Sequence, residues 1–289
     1  MKIVTDSGCD LHISREKIAE LDIHVVPLVV SINGKVFHEG VDIEPGVFYD
    51  LLVNSPSPAK TSQPSVGNFI EVYKELAKID PEILSIHMSS GLSGTLNSAR
   101  EAAKLVPEAH VTHIDTKTLS VAAGWQVEAA ARAAKVGWVK ERIVALMEKI
   151  SSASESLYTL KELKYLIQGG RIGHLKGLLA TVLGIKPLIG VEKVKGTYVQ
   201  RGQVRNFQRA LEGLVELISQ QQPAQSALRV QVCHANNPEG AAILRDLIDK
   251  RFNCSWLPVG RLSLVLGAHT GPSMVAVAYA PQSAFVDVP

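Results

Sequence analysis

The sequence has no long hydrophobic run, no large excess of charge of one sign and few cysteines. No apolar stretch approaches the ~20 residues that a membrane-spanning helix needs, so we expect no integral membrane segment. The 289 residues carry a net charge of +2, with the basic residues spread along the chain. Nucleic-acid binding depends on clustered positive charge, so nucleic acid is not an expected partner.

The three cysteines, Cys9, Cys233 and Cys254, are odd in number and far apart. Their spacing fits neither a disulfide framework nor a zinc site, and no other group of His, Cys, Asp and Glu has ligand spacing. His110 and His113 lie three apart on a predicted strand and therefore face opposite sides. We predict reduced thiols, a cytoplasmic location and no metal. The first ten residues predict a strand and a polar loop rather than a signal peptide.

Predicted strands and helices alternate along a chain that is 46% apolar and 20% charged. This alternation predicts an α/β fold with largely parallel sheets. The length suits two domains, and the serine-rich stretch at residues 151–156 is the candidate boundary. We therefore predict an N-terminal α/β domain over residues 1–154 and a C-terminal α/β domain over residues 155–289. Asn33-Gly34 and Lys195-Gly196 each predict a hairpin turn.

The most informative segment is SIHMSSGLSGTLNSAR at residues 85–100. It predicts a strand, a loop of serine and glycine, and the start of a helix. Ligands of open α/β sheets lie beyond the carboxyl ends of the strands. Free backbone N–H groups at a helix start, together with hydroxyls, suit a carboxylate or a phosphate. Ser93 and Thr95 have an equally simple interpretation as helix caps, with Gly91 and Gly94 as turn residues.

Ser93 also lies in a near match to the G-x-S-x-G motif of α/β hydrolases, with His269 as a possible base. Thr95 replaces the final glycine of that motif, and no motif marks an acid between the serine and the histidine. The phosphate-binding and dinucleotide-binding glycine motifs are absent. A serine hydrolase or esterase acting through Ser93 and His269 is the alternative function.

Three further segments contain polar residues in predicted loops. KTSQPS at residues 60–65 ends a turn-rich loop and begins a helix, where capping is a sufficient explanation. GAHTGP at residues 267–272 predicts a polar turn that holds His269 between apolar strands. The glycine cluster at residues 169–177 contains Arg171, whose alternatives are a solvated loop charge and a functional cation.

Taken in order, these segments resemble the DegV family. The resemblance covers almost the whole chain and rests on seven motifs: IVTDS at 3–7, TSQPS at 61–65, SSGLSGT at 89–95, IDT at 114–116, GGRI at 169–172, KP at 186–187 and GAHTGP at 267–272. Cys9 and Ser273 depart from the family pattern, which usually has a small residue such as alanine and a glycine there. Neither departure touches the motifs that carry the expected ligand contacts.

The resemblance implies two α/β domains with a lipid tunnel between them. It implies non-covalent binding of a long-chain fatty acid (C16–C18), whose carboxylate is presented to a fatty acid kinase for phosphorylation. By motif, Thr61 and Ser93 would bind the carboxylate, and Ser62, Gly94 and His269 would lie near the head group. Arg171 would lie where the kinase docks. No cofactor and no catalysis by this chain are implied.

The physical chemistry of a fatty acid is compatible with this expectation. Roughly fifteen tail carbons at ~0.8 kcal/mol each give a gross gain near 12 kcal/mol, whereas each hydroxyl contact contributes about 1 kcal/mol. The tail should therefore supply affinity and the hydroxyls orientation. The apolar runs at residues 178–183 and 262–266 are candidate tunnel linings and equally good core segments. Apart from His269, we expect no cation at the head group.

Overall fold

The computed structural model describes residues 1–175 and 184–289 and confirms the α/β class. Its first half contains, in order, β1 (Lys2–Asp6), α1 (Arg15–Glu20), β2 (Ile23–Val26), β3 (Val29–Ile32), β4 (Lys35–His38), α2 (Pro45–Asn54), β5 (Lys60–Ser62), α3 (Val66–Ala77), β6 (Glu82–His87), α4 (Thr95–Lys104), β7 (His110–Asp115), α5 (Ser120–Lys135) and α6 (Lys140–Ala153).

The second half begins with β8 (Glu155–Thr159). After it come α7 (Lys164–Gln168), a 3-10 turn (Arg171–Leu175), β9 (Lys186–Val191), β10 (Tyr198–Val204), α8 (Phe207–Ser219), β11 (Ala227–His234), α9 (Pro238–Asp249), β12 (Asn253–Trp256), β13 (Gly260–Arg261), α10 (Leu264–Thr270), β14 (Val275–Pro281) and a final 3-10 turn (Gln282–Phe285). Among these residues no helix has both the length and the apolar character to cross a bilayer.

The first half forms two sheets. Strands β2, β1, β6 and β7 pair in that order, and every pairing is parallel. The carboxyl ends of β1 and β6 therefore bring the loops at residues 7–10 and 88–94 to one edge. Strands β4, β3 and β5 form a small antiparallel sheet, and the predicted Asn33-Gly34 turn joins β3 to β4.

The small sheet corrects the expectation that residues 60–65 are only a loop. Lys60–Ser62 form β5, and Thr61 pairs with Val30 of β3. The segment is short and rich in turn residues on both sides, so local sequence preference alone does not predict the strand. Pairing with a buried neighbouring strand fixes it, and it fixes the direction in which Thr61 points.

The second half forms one sheet in the order β10, β9, β8, β14, β11 and β12, with β13 also paired to β11. The expectation of a largely parallel sheet is wrong here. Among the described strands only the pairs of β11 with β12 and with β13 are parallel, and the others are antiparallel. All strands of this sheet follow the predicted boundary, while the division into two independently folding domains stays a prediction.

The two faces of this sheet contact different neighbours. Val275, Val277 and Tyr279 of β14 pack into a core with α8 and α9. The intervening residues Ala276 and Ala278 face the first half of the molecule, where they belong to or pack against the main core. Buried, alanine-rich α5 contributes to that core, so it lies between the parallel sheet and the second sheet.

Residues 264–270 form helix α10, so the expectation of a turn around His269 is wrong. The sequence Leu-Val-Leu supplies apolar residues that are buried on the helix, and Gly271, at a φ of 76°, ends it with Pro272 following. Gly267 is needed inside the helix because any larger residue would place a Cβ 2.2 Å from the Tyr49 hydroxyl. Close packing, rather than a turn, explains this glycine.

Candidate functional site

Two candidate residues that are 208 positions apart in sequence meet in the structure. Thr61 Oγ1 lies 2.7 Å from His269 Nε2, which is a hydrogen bond between β5 and α10. Thr61 is half-buried and His269 is 6% exposed, so the imidazole side of the pair is almost completely covered. The strand and the helix each hold one partner on regular secondary structure, which restricts where the two polar atoms can move.

His269 is neutral at physiological pH. Burial, followed by the positive charge of Arg171, lowers its pKa from 6.5 to about 3. Its Nδ1 atom is buried without a hydrogen-bond partner among the described residues, and the Gly169 backbone packs against the ring. Half-buried Arg171 donates from Nη1 to the Gly169 carbonyl at 2.8 Å. The expectation that only His269 could supply a cation therefore needs correction, because Arg171 is the charged group here.

The loop that carries Ser93 lies against the same strand. Gly94 is so close to Gln63 that a Cβ at residue 94 would lie 2.2 Å from the Gln63 amide oxygen. Gln63 Nε2 donates to Ser98 Oγ on α4 at 3.1 Å. Gln63, which the sequence analysis did not single out, therefore joins the end of β5 to the start of α4. Exposed Ser62 points to the opposite face of β5 from Thr61, because alternate residues of a strand do.

Ser93 is positioned by its own loop. Its Oγ lies 2.8 Å from Thr95 Oγ1 and accepts from the Thr95 backbone N–H at 3.3 Å. Helix α4 begins at Thr95, with no side-chain hydrogen bond from the N-cap Gly94. The hydroxyls of Ser93 and Thr95 therefore lie at the start of a helix, as the sequence predicts. Ser93 is only half-buried.

The described residues do not assemble a serine-hydrolase triad around Ser93. A triad needs the histidine to contact the nucleophile through one nitrogen and an acid through the other. His269 Nε2 instead contacts Thr61, and its Nδ1 has no partner among residues 1–175 and 184–289. Ser93 contacts Thr95. This geometry gives the hydrolase alternative no support.

A different Asp-His-Ser series is present but inaccessible. His87 Nδ1 lies 2.9 Å from Asp6 Oδ2, and His87 Nε2 lies 2.6 Å from Ser85 Oγ, which in turn contacts Tyr73 at 2.7 Å. Asp6, Ser85 and His87 are all 0% exposed. No substrate can reach them, so these bonds stabilise the parallel sheet. Asp6 also accepts from the Met88 N–H, which holds the start of the loop after β6 against the end of β1.

An apolar cavity of about 30 Å³ lies between the two halves of the molecule. This volume is well below the roughly 300–1,000 Å³ of small-molecule sites, so its walls must move apart before a ligand of that size can enter. Its floor is one face of the second sheet, where Tyr158, Ala276 and Cys233 stand in one cross-strand row. Its other walls include residues 119–121 at the start of α5, and Leu262, Leu266 and Thr270 at helix α10. Thr270 follows His269 directly, so the helix that carries His269 also lines the cavity.

The other end of α10 is held by two buried carboxyl groups. Glu39, just after β4, accepts from Ser263 Oγ at 2.8 Å and from the Leu264 N–H, while Asp10 accepts from the Ser263 N–H at 3.0 Å. Burial raises the pKa of each carboxyl to about 7. The position is favourable for negative charge because the helix N-terminus presents free N–H groups. The first half of the chain therefore holds α10 near both ends, at Glu39 and at Thr61.

Other expectations concern the cavity walls and metals. Residues 178–183, one of the two candidate linings, lie outside the described residues, while Leu262 and Leu266 of the other segment do line the cavity. Within residues 1–175 and 184–289, no three His, Cys, Asp or Glu side chains form a group that could hold a metal ion. The expectation of no metal stays a prediction.

Sequence analysis missed the small residues that create the cavity. The run Val275-Ala276-Val277-Ala278 alternates large and small side chains with the period of a strand, so it could have indicated one packed face and one open face. Tyr158 was also missed, because one tyrosine in a buried strand has no distinctive pattern.

The chain has an α/β fold in two halves with an apolar cavity between them. It belongs to the DegV family, whose model matches residues 1–282. A DegV domain-containing protein of Staphylococcus aureus is 34% identical over 277 residues, which cover 95% of this chain and 96% of that protein.

Solved structures agree with this assignment. A DegV family protein from Thermus thermophilus, described for its fatty acid binding, superposes with a TM-score of 0.88 at 27% identity, over 97% of this chain and 99% of the other. A stearic acid-binding protein from Eubacterium ventriosum has a TM-score of 0.80 at 25% identity, over 97% of this chain and 98% of the other. These similarities confirm the resemblance that the seven motifs indicate.

Proposed function

We propose that this chain binds one long-chain fatty acid (C16–C18) non-covalently and presents its carboxylate to a fatty acid kinase. One observation carries the proposal. Helix α10 both lines the apolar cavity between the two halves and carries His269, which is hydrogen-bonded to Thr61. The tail occupies the cavity, and the carboxylate lies at Thr61 and Ser93, with Gly94 and His269 beside it. The fatty acids named for solved relatives support this ligand class.

In this proposal His269 acts through Thr61. A neutral imidazole with its proton on Nε2 donates to Thr61 Oγ1, which leaves the Thr61 hydroxyl proton free to donate to a carboxylate oxygen. The lowered pKa of His269 keeps the ring neutral, and its unpartnered Nδ1 is then a bare lone pair. Ser93 donates its own hydroxyl proton in place of its contact with Thr95.

Neutral donors suit a carboxylate that must later attack a phosphoryl group. A direct salt bridge would hold the negative charge on the carboxylate and reduce its reactivity. Phosphoryl transfer depends mostly on positioning, which two hydroxyls on a strand and a helix start supply. Half-buried Arg171 donates a hydrogen bond to the Gly169 carbonyl. In this proposal its positive charge lies near the head group, but it forms no salt bridge with the carboxylate.

The primary test is native mass spectrometry of the purified protein, followed by lipid extraction. We expect a mass excess that matches a C16–C18 fatty acid and disappears on denaturation. A lipid-free protein that also fails to take up added hexadecanoic or octadecanoic acid would overturn the proposal. The fatty acid is the ligand, and the proposal includes no cofactor.

The kinase step has a separate test in Arg171→Ala. We expect lipid occupancy to change little, because the side chain bonds a backbone carbonyl, and we expect phosphorylation by a cognate fatty acid kinase to fall. Arg171→Lys, which retains the charge, should recover part of the phosphorylation. An empty site with unchanged phosphorylation per bound lipid would contradict the docking role of Arg171.

The proposal assigns no hydrolysis to this chain and places it in the cytoplasm. We expect no turnover of short p-nitrophenyl esters that depends on Ser93. Ser93→Ala should instead weaken fatty acid binding by about 1–2 kcal/mol, the usual cost of losing one polar partner. Ester turnover that disappears in Ser93→Ala would favour the hydrolase alternative. Cell fractionation tests the location.

A further inference from the structure

The cavity floor contains a buried hydrogen-bond donor that the binding of a plain fatty acid does not use. Tyr158 is 4% exposed and lines the cavity, and its hydroxyl has no hydrogen-bond partner among the described residues. An unpartnered buried polar group is costly, so native proteins rarely keep one without a use for it. Burial, followed by the neighbouring Tyr198, raises the pKa of this hydroxyl, which therefore remains a protonated donor.

Two other hydroxyls at the cavity already have partners. Ser120 donates to Asp10 and Thr270 donates to the Leu266 carbonyl. The Tyr198 ring, also in the lining, meets the Tyr158 ring edge to face at 5.4 Å between centroids. Tyr198 is near enough to raise the pKa of Tyr158, but a bond between the two phenols uses only one of their two O–H groups. One proton of the pair therefore has no acceptor within the pair.

Space for an acceptor lies next to Tyr158 on the floor. Ala276 pairs directly with Tyr158, and Ala278 pairs with Ser156 two residues away on the same face. These small side chains line the narrow cavity beside the phenol. An all-carbon tail would fill this space without offering an acceptor. A tail that carries an oxygen would satisfy the donor.

We propose that the Tyr158 hydroxyl makes this protein prefer fatty acids with an oxygen function, a hydroxyl, keto or epoxide group, on the chain. The inference rests on the proposed function and specifies its ligand class. A site built to bond a polar group discriminates strongly between ligands that have it and ligands that lack it. We expect one positional isomer to bind about tenfold more tightly than octadecanoic acid, a modest gain typical of one neutral hydrogen bond.

The test uses delipidated full-length protein and competition between octadecanoic acid and a series of hydroxyoctadecanoic acids with the hydroxyl at different carbons. The readout is the ratio of the two dissociation constants in the wild type, in Tyr158→Phe and in Tyr279→Phe. Tyr279 is a matched control because it is a buried tyrosine on the opposite face of the same sheet, and its hydroxyl donates to Gln221.

We expect the preference for one isomer to fall about tenfold in Tyr158→Phe and to persist in Tyr279→Phe. The inference is overturned if octadecanoic acid binds and no isomer has a ratio that depends on Tyr158. It is also overturned if a cis-octadecenoic acid, whose double bond is a weak acceptor, is the only ligand that responds. If neither acid binds, the proposed function itself fails.

Discussion

The proposed head-group end and the proposed tail cavity are built by different means. The head-group end consists of polar side chains on three separate elements, β5, the start of α4 and α10, joined by single hydrogen bonds such as that between Thr61 and His269. The tail cavity consists of one sheet face with small side chains, covered by α5 and α10. The first region can orient a ligand through a few directional bonds, whereas the second can supply affinity through buried area.

The difference predicts separable effects. Substitutions at the head group should affect acids of every chain length equally, because every acid has the same carboxylate. Substitutions in the cavity should affect long acids more than short ones. Helix α10 belongs to both regions, since it carries His269 and lines the cavity. A substitution that shifts α10 should therefore affect the head-group region and the cavity together.

The largest expected effect comes from filling the cavity with Ala276→Leu. The added carbons occupy space that about three methylenes of the tail would fill, at ~0.8 kcal/mol each, so octadecanoic acid should bind about 2–3 kcal/mol more weakly. Dodecanoic acid should lose much less. Direct titration of delipidated protein measures both.

Ala227→Leu is the matched control, because Ala227 is exposed at the start of β11. It should bind both acids like the wild type. Equal losses for the two acids in Ala276→Leu would break the comparison, since they would indicate damage to the whole site rather than to the tail region.

A smaller effect is expected from the pH dependence of the carboxyl groups that hold α10. The folded-state pKa of Glu39 is about 7 and its ordinary value is 4.5. The folded protein thus binds this proton more tightly than the unfolded chain does, and the free energy of unfolding should fall as pH rises from about 4.5 towards about 7. Glu39→Gln removes this contribution. Relative to the wild type, the variant should gain about 2 kcal/mol between pH 5 and pH 8.

Denaturant unfolding at several pH values measures this difference, with the exposed Glu44→Gln as the control. His269 contributes the opposite slope, because its lowered pKa makes stability fall as pH drops below 6.5. Comparing each variant with the wild type removes that contribution. A constant difference at all pH values would mean that Glu39 is charged in the folded protein throughout this range.

Residue type in the sequence marks the proposed head-group residues more clearly than it marks the cavity. Thr61, Ser93 and His269 stand in short polar motifs within an apolar chain, so residue type alone marks them. Their secondary structure was predicted less well, since β5 and α10 form through pairing and packing with distant residues rather than through local preference. The cavity depends on side-chain volume at Ala276 and Ala278, and alanine has no chemistry that attracts notice. The antiparallel order of the second sheet was likewise set by long-range pairing.

The smallest expected effect, and the sharpest test of the comparison, comes from Thr61→Val. Valine retains the shape and removes the hydroxyl that bonds His269 Nε2 at 2.7 Å. We expect binding to weaken by about 1 kcal/mol, the net contribution of one hydrogen bond, and by the same amount for dodecanoic and octadecanoic acid. Thr61→Ser, which keeps the hydroxyl, is the control.

Combining Thr61→Val with other substitutions then tests the separation directly. Paired with Ala276→Leu, it should give additive losses, because the two side chains share no contact and act on different parts of the ligand. Paired with His269→Gln, it should give less than the sum, because each single change already breaks the same hydrogen bond. Additivity in the second pair would mean that His269 contacts the carboxylate independently of Thr61. Non-additivity in the first would mean that α10 transmits changes in the cavity to the head group, so that affinity and orientation are not supplied separately.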